Sequence, residues 1–165
     1  MRESDVALFN TDDVLSVDDA LIETLKERAR TSPSRRFRLC LHRSAEEAVQ
    51  EMIVVHCRDN YSRPHRHTVA SSAMILEGDL AIVLFDDAGK VTRRIEMGPR
   101  ASGKPFTVRV GPHIWHMPVC LTEQLVFYET LEGPFERERM NEWAPWSPAE
   151  DDPRGIAKYL ASLGF

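Results

Sequence analysis

The sequence predicts an all-β domain, mainly antiparallel, with one helix before it and a short helix after it. The chain has 165 residues, which is enough for one domain with a sizeable hydrophobic core. From Phe37 to about Leu131, short apolar runs alternate with turn residues, and no helical repeat separates them. Several short strands at this spacing are typical of an antiparallel sandwich or barrel.

The first element is predicted to be an amphipathic helix from about Val17 to Arg30. Ser16 has the position of an N-cap, Asp19 follows three residues later in a capping-box pattern, and Ser32-Pro33 ends the helix. Apolar side chains recur at helical spacing, at Leu21, Ile22, Leu25 and Ala29. Residues 1–35 are therefore predicted to be an N-terminal helical extension.

Residues 36–150 are predicted to form the barrel and a segment that wraps it. The clearest strands are "FRLCLH", "VQEMIVVHC", "SAMILEGDLAIVLFDDAGKVTRRIEM", "FTVRV" and "EQLVFYETL". Gly78-Asp79 and the run from Asp86 to Gly89 are typical of hairpin turns. The tail "NEWAPWSPAEDDP" is predicted to lie ordered against the barrel, because its two tryptophans favour burial. Residues 151–165 are predicted to make a short helix that starts near Pro153.

The charge of the chain argues against two classes of partner. The formal net charge is −5, and the basic clusters are flanked by acidic residues. A nucleic-acid-binding protein or a protein drawn to anionic lipid would present a basic face. No window reaches the roughly 18 apolar residues that a membrane span needs. We therefore expect neither a nucleic-acid partner nor a membrane partner.

The cysteines favour a reducing compartment. Cys40, Cys57 and Cys120 are odd in number and far apart, and none belongs to a C-x-x-C pair. They are predicted to be reduced core residues. Because the N-terminal stretch also lacks the apolar core of a signal peptide, we expect a cytoplasmic protein.

Two histidines separated by one residue are candidate metal ligands. Side chains at i and i+2 of a strand lie on the same face, so His65 and His67 can converge on one atom inside a barrel. Neutral imidazoles suit zinc, iron, copper and nickel. In "VRVGPHIWHMPV" a turn delivers a strand that offers His116 as a third ligand. Surface histidines also meet the H-x-H spacing by chance, so the pattern alone leaves both interpretations open.

These motifs resemble those of the cupins, a superfamily of double-stranded β-helix, or jelly-roll, barrels. The first cupin motif is H-x-H followed by a glutamate and a glycine, and the second motif supplies another histidine. Here His65, His67 and His116 fall on the histidine positions and Gly78 on the glycine. The resemblance is closer to the WbuC-type cupin metalloproteins, over "LHRS", "VQEM", "YSRPHRH", "LFDDAGKV", "GPHIWH", "ETLEGPF" and "WAPWSP" in order.

The chain departs from the cupin pattern at two positions. Ser71 stands where the cupin glutamate is expected, and Ser72 beside it is no better as a ligand. His113 stands where the second motif usually carries a glycine. Without the carboxylate, three neutral imidazoles leave the full +2 charge on a divalent ion. We expect weaker metal binding and more open coordination positions for water, dioxygen or an anionic substrate.

Six further side chains are candidates for the pocket around the metal. Tyr61 and Arg63 share strand parity with the histidines if Pro64 keeps the register, so both could point inward, and Tyr61 is a candidate catalytic residue. Arg63 either binds a substrate carboxylate or phosphate with two hydrogen bonds or is solvated at the barrel mouth. Glu129 matches a glutamate of the resembled family and acts either as a base or as a strand-end residue paired with an arginine. The remaining candidates for lining the pocket or its rim are His42, Arg43 and His113.

The resemblance implies one divalent ion, which could be iron, zinc, manganese or nickel. Three functions stay open: an enzyme acting on a small anionic sugar derivative or organic acid, a non-catalytic binding module or sensor, and a structural or empty site. The WbuC-type family is often linked to bacterial surface-polysaccharide gene neighbourhoods. Cupin barrels commonly pair through an exposed sheet, so the resemblance also implies a homodimer.

Overall fold

A computed structural model of the chain describes residues 1–136 and 140–165. It contains two mainly antiparallel β-sheets with one helix near each terminus, which confirms the predicted fold class. The strands are β1 (Arg2–Ser4), β2 (Ala7–Phe9), β3 (Arg36–Cys40), β4 (Val49–Cys57), β5 (His65–His67), β6 (Ser71–Glu77), β7 (Leu80–Phe85), β8 (Val91–Met97), β9 (Thr107–Val110), β10 (Trp115–Cys120), β11 (Gln124–Glu132) and β12 (Asn141–Trp143). The helices are α1 (Asp19–Thr31) and α2 (Pro153–Ser162), and a short 3-10 helix covers Arg100–Ser102.

The two sheets face each other as the walls of a barrel. The larger has the strand order β1-β2-β3-β4-β11-β6-β9, and the smaller has the order β12-β5-β10-β7-β8. Apolar side chains between the sheets include Val54, Ile75, Leu125 and Phe127, which pack in one cluster with Leu80 and Ile82 of the smaller sheet. Because alternate residues of a strand point to opposite faces, this core also shows which residues of each strand point inward.

The N-terminal segment contributes more than the predicted helix. β1 and β2 form a hairpin, and β2 pairs with β3 in parallel, so these two strands extend the larger sheet. Three-residue strands are too short for a periodicity signal, which is why the sequence did not predict them. Helix α1 then packs Ile22, Leu25 and Ala29 against the outer face of that sheet.

The predicted N-cap of α1 is wrong by two residues. Asp18, in an extended conformation, precedes the helix, and its carboxylate accepts a hydrogen bond from the Leu21 backbone N–H at 3.0 Å. A carboxylate at this end also interacts favourably with the helix dipole. The predicted end is confirmed, because Ser32 follows the last helical residue and donates its N–H to the Arg28 carbonyl.

We expect Asp18→Ala to lower the free energy of unfolding by about 1 kcal/mol, the usual effect of removing an N-cap carboxylate. Urea denaturation followed by circular dichroism measures the change. Ser16→Ala is the matched control and should leave stability unchanged within about 0.5 kcal/mol. An equal loss in both variants would contradict the assignment of the cap to Asp18.

The C-terminal segment covers the outer face of the smaller sheet. Trp146, Tyr159 and Leu160 pack against Trp115 and Met117 of β10. Trp146 of the predicted wrap thus lies against the barrel, and a terminal helix starts at Pro153 as predicted. The three cysteines are free and buried, as predicted. None of the helices in the described part of the chain combines the length and apolar character that a membrane crossing requires.

Candidate metal centre

Two neighbouring strands bring three histidines together. His65 and His67 lie on one face of β5, and His116 of the antiparallel strand β10 stands directly opposite His65. The ring centroids of His65 and His116 are 4.5 Å apart, and those of His67 and His116 are 5.3 Å apart. One nitrogen from each ring lies within 4.8 Å of the others. The spacing-based prediction that these rings converge is therefore confirmed.

Backbone carbonyls orient two of the three rings. Nδ1 of His65 is 2.7 Å from the Arg63 carbonyl oxygen, and Nδ1 of His116 is 2.9 Å from the Ile114 carbonyl oxygen. A carbonyl can only accept, so each Nδ1 carries the proton and each Nε2 keeps a free lone pair. Nδ1 of His67 is buried and has no hydrogen-bond partner among the described residues.

Burial keeps the three rings neutral at physiological pH. Burial lowers the pKa of His116 to about 4 and that of His67 below its usual value. Burial also lowers the pKa of His65 well below the usual value, and its two histidine neighbours lower it further. Only a neutral imidazole has a lone pair for a metal ion, so the donor set matches the requirement of a divalent ion.

A further strand, remote in sequence, closes the side of the histidine cluster. Strand β12 pairs with β5, so that Asn141 stands opposite His67 and Trp143 stands opposite His65. The ring centroids of Trp143 and His65 are 5.4 Å apart. Sequence reasoning predicted that this tail wraps the barrel but missed its contact with the histidines. The three residues of β12 form no motif that would have indicated this contact.

Comparison with known proteins supports the fold. A family model described as a domain of unknown function, DUF6016, matches residues 17–97. No curated protein sequence matches the chain. Protein SO0799 of Shewanella oneidensis is similar in structure, with a TM-score of 0.56 and 14% identity over 78% of this chain and 82% of that one.

Two other solved structures resemble smaller parts of the chain. A mutant of Bacillus subtilis oxalate decarboxylase OxdC matches with a TM-score of 0.51 and 13% identity, over 66% of this chain and 27% of that one. A cupin superfamily protein of Desulfitobacterium hafniense matches with a TM-score of 0.47 and 14% identity, over 59% of this chain and 76% of that one. The observed order of the antiparallel strands agrees with the similarity to SO0799 and to OxdC. This chain has the double-stranded β-helix, or jelly-roll, fold.

Ser71 occupies the interior of this barrel. It is buried, and it stands in β6 between Leu131 of β11 and Val110 of β9. It shares the inward face of β6 with Ile75, which packs in the core between the sheets. The position where cupins are expected to carry a carboxylate therefore points into the barrel but holds only a hydroxyl.

Glu129 lies on the inward face of the opposite wall. It belongs to β11, two residues from Phe127 of the core between the sheets. Burial raises the pKa of Glu129 to about 7, and the charge of Arg38 works against that rise. A carboxyl group with a pKa near neutrality can both give and take a proton, which is what general acid–base chemistry requires. Its predicted role as a base stays a prediction.

Tyr61 does not share the face of the histidines. It packs with Trp115 and Met117 in the cluster on the outer side of the smaller sheet, and its hydroxyl donates to the Pro148 carbonyl at 3.1 Å. The prediction that Tyr61 and the histidines lie on one face of a strand is wrong. Pro64 interrupts the strand, and β5 begins only at the next residue. Its predicted part in chemistry remains untested.

Arg63 holds the C-terminal segment. Its Nε donates to Ser147 Oγ at 3.0 Å, and its Nη2 donates to the Ala144 carbonyl at 2.9 Å. The two-pronged geometry expected of this guanidinium is present, but its acceptors belong to the chain itself. A role in substrate binding stays a prediction.

The last three candidates lie outside the histidine cluster. His42 follows β3, is buried and contacts the Glu51 backbone at 3.0 Å. Arg43 is exposed and pairs with Asp13 at 2.6 Å. His113 is exposed in a left-handed conformation, with φ at +61°, and its N–H donates to the His67 carbonyl at 2.7 Å. A glycine, which the second cupin motif usually carries at this position, adopts a left-handed backbone without strain.

Proposed function

We propose that this chain is a cupin metalloprotein that holds one divalent ion through His65, His67 and His116. The observation that carries the proposal is the convergence of three neutral imidazoles whose ligand nitrogens lie within 4.8 Å of one another. Three protein ligands with open positions are typical of a catalytic site, whereas structural zinc sites are closed by four. A bound divalent ion would supply Lewis acidity to a ligand at those open positions.

We infer that the ligand is a small anion. With Ser71 in place of a carboxylate, the ligand set carries no charge, so an anionic group from solution would compensate the ion. A sugar derivative or an organic acid fits this requirement, and the similar oxalate decarboxylase is named for a small organic acid. The resemblance to the WbuC-type proteins favours a sugar derivative linked to surface polysaccharide.

Side chains on the two sheets of the barrel have different roles in this proposal. The imidazoles of the smaller sheet orient the ligand, while the Glu129 carboxyl of the larger sheet holds or takes a proton. The Trp143 ring lies beside His65, with the ring centroids 5.4 Å apart. This arrangement suits proton transfer to or from a bound acid or sugar.

A second candidate is a non-catalytic sensor or binding module with a weakly occupied site. Ser71 favours it, because the loss of the carboxylate lowers the affinity for a metal ion.

We also propose that the protein is a cytoplasmic homodimer. The exposed Met74 and Leu76 on the outer face of β6 support the dimer, and light scattering after size exclusion tests it.

The metal content of the purified protein tests the proposed function. Untagged protein, prepared without chelators or a nickel column, should contain close to one divalent ion per chain by plasma mass spectrometry. His65→Ala and His116→Ala should each lose at least about nine-tenths of it, because two imidazoles give only part of a ligand set.

His113→Ala is the matched control, since it lies three residues from His116 but outside the cluster. Its metal content should equal that of the wild type. Wild-type protein that stays empty after reconstitution with iron, zinc, manganese and nickel would refute the metalloprotein and leave the binding module.

A further inference from the structure

Residues 140–147, which we call the strap, are fixed to the barrel beside the histidines. The Thr68 N–H donates to the Met140 carbonyl at 3.1 Å, and the Ala144 N–H donates to the Pro64 carbonyl at 2.9 Å. The Arg63 guanidinium adds its two hydrogen bonds to Ala144 and Ser147. The strap is therefore attached at both ends of β5, and its central residues have a defined register.

That register separates the strap side chains into two groups. Directly opposed residues of antiparallel strands share a face, so Asn141 and Trp143 lie on the face of His67 and His65. Glu142, between them, lies on the other face and bonds Arg66 at 2.7 Å. Asn141 is thus the polar side chain that the strap presents to the histidine cluster.

His67 is the ring of the cluster whose Nδ1 makes no hydrogen bond within the described chain. His65 and His116 each donate Nδ1–H to a carbonyl two residues earlier, whereas Nδ1 of His67 is without a partner in the described chain. The Asn141 side chain and, after it, the Met140 backbone raise the pKa of His67, against the larger lowering by burial. A side-chain amide offers an oxygen that accepts an N–H and can orient a ring as a carbonyl does.

We propose that Asn141 is a positioning residue of the metal centre, and that its amide fixes the ring orientation and tautomer of His67. The strap thereby performs for His67 what the carbonyls of Arg63 and Ile114 perform for the other two ligands. The inference rests on the proposed metal function and deepens it. Because Ser71 supplies no carboxylate, the site has no spare ligand, so a misoriented His67 lowers the metal affinity directly.

Competition titration with Zn²⁺ and a chromogenic chelator tests this role. Asn141→Ala should weaken Zn²⁺ binding by about 10–100-fold, the range found for groups that orient metal ligands. Asn141→Asp should restore affinity at least to the wild-type level, because a carboxylate also accepts the imidazole N–H. Glu142→Ala, on the same strand but the other face, should stay within about threefold of the wild type.

A second measurement reports the tautomer without any metal. Long-range proton–nitrogen NMR of the ¹⁵N-labelled apoprotein distinguishes Nδ1–H from Nε2–H in each histidine. In Asn141→Ala the His67 signals should change from one defined tautomer to a mixture, while those of His65 and His116 should not. Thermal melts of each variant verify that it is folded.

The outcomes separate this inference from the function on which it rests. If the wild type binds no Zn²⁺, both fail. If the wild type binds but Asn141→Ala binds equally well with unchanged His67 signals, the positioning role alone is refuted. If Glu142→Ala weakens binding as much as Asn141→Ala, the effect belongs to attachment of the strap, and the specific role of Asn141 is likewise refuted.

Discussion

Gly78→Ala should lower the free energy of unfolding by about 2–4 kcal/mol, enough to abolish much of the stability of a typical domain. Gly78 connects β6 to β7 with φ at +75°, a conformation that side chains with a Cβ adopt only at a cost. A Cβ there would also overlap the Gln124 carbonyl oxygen and lie 2.5 Å from Thr122 Oγ1. Backbone strain and a steric clash therefore act together.

Gly103→Ala separates the two causes. Gly103 has the same φ of +75°, but no heavy atom lies within 4 Å of the position of its Cβ. Its substitution should cost only about 1 kcal/mol, from the conformation alone. Urea denaturation of both variants measures the difference. Equal losses would show that the close approach of β11 to this turn does not constrain position 78.

His56→Leu should reduce, by about 2 kcal/mol, the loss of unfolding free energy that the protein undergoes between pH 7.5 and 5.0. His56 is buried inside the barrel, with its ring edge-on to Phe127 at a centroid distance of 5.2 Å. Its Nδ1 has no hydrogen-bond partner in the described part of the chain. Burial lowers the pKa of His56 to about 3, and the charge of Arg36 contributes to the shift.

The sign of the pH effect follows from the lowered pKa. An unfolded chain protonates His56 below about pH 6.5, whereas the folded chain keeps it neutral until about pH 3. Protons therefore bind the unfolded state preferentially, and stability falls as the pH drops through this window. Between pH 7.5 and 5.0 one such histidine accounts for about 2 kcal/mol.

Urea denaturation of metal-free protein at the two pH values measures this contribution. The stability lost between pH 7.5 and 5.0 should be about 2 kcal/mol smaller for His56→Leu than for the wild type. His113→Ala, which removes an exposed histidine, should show the wild-type difference. An unchanged pH dependence in His56→Leu would mean that His56 is protonated at similar pH in both states.

Patterns that repeat within a few residues predicted much of this protein. Strand β4 has the bounds Val49–Cys57 that its sequence run indicates, and α2 begins at Pro153 as expected. The alternation of side chains along a strand placed His65 and His67 on one face, and the resemblance to cupins selected His116 as their partner. The bounds of these elements and the common face of His65 and His67 follow from local backbone geometry, whereas the choice of His116 depended on the resemblance.

Only the tertiary structure decided what surrounds the histidines. Pro64 interrupts the alternation, so Tyr61 lies on the outer face and Arg63 binds the strap. Asn141 and Trp143 reach the site because β12 pairs with β5, although more than 70 residues separate them in the sequence. Pairing between remote strands depends on the free energy of the whole packed barrel, and no short stretch of sequence contains that information.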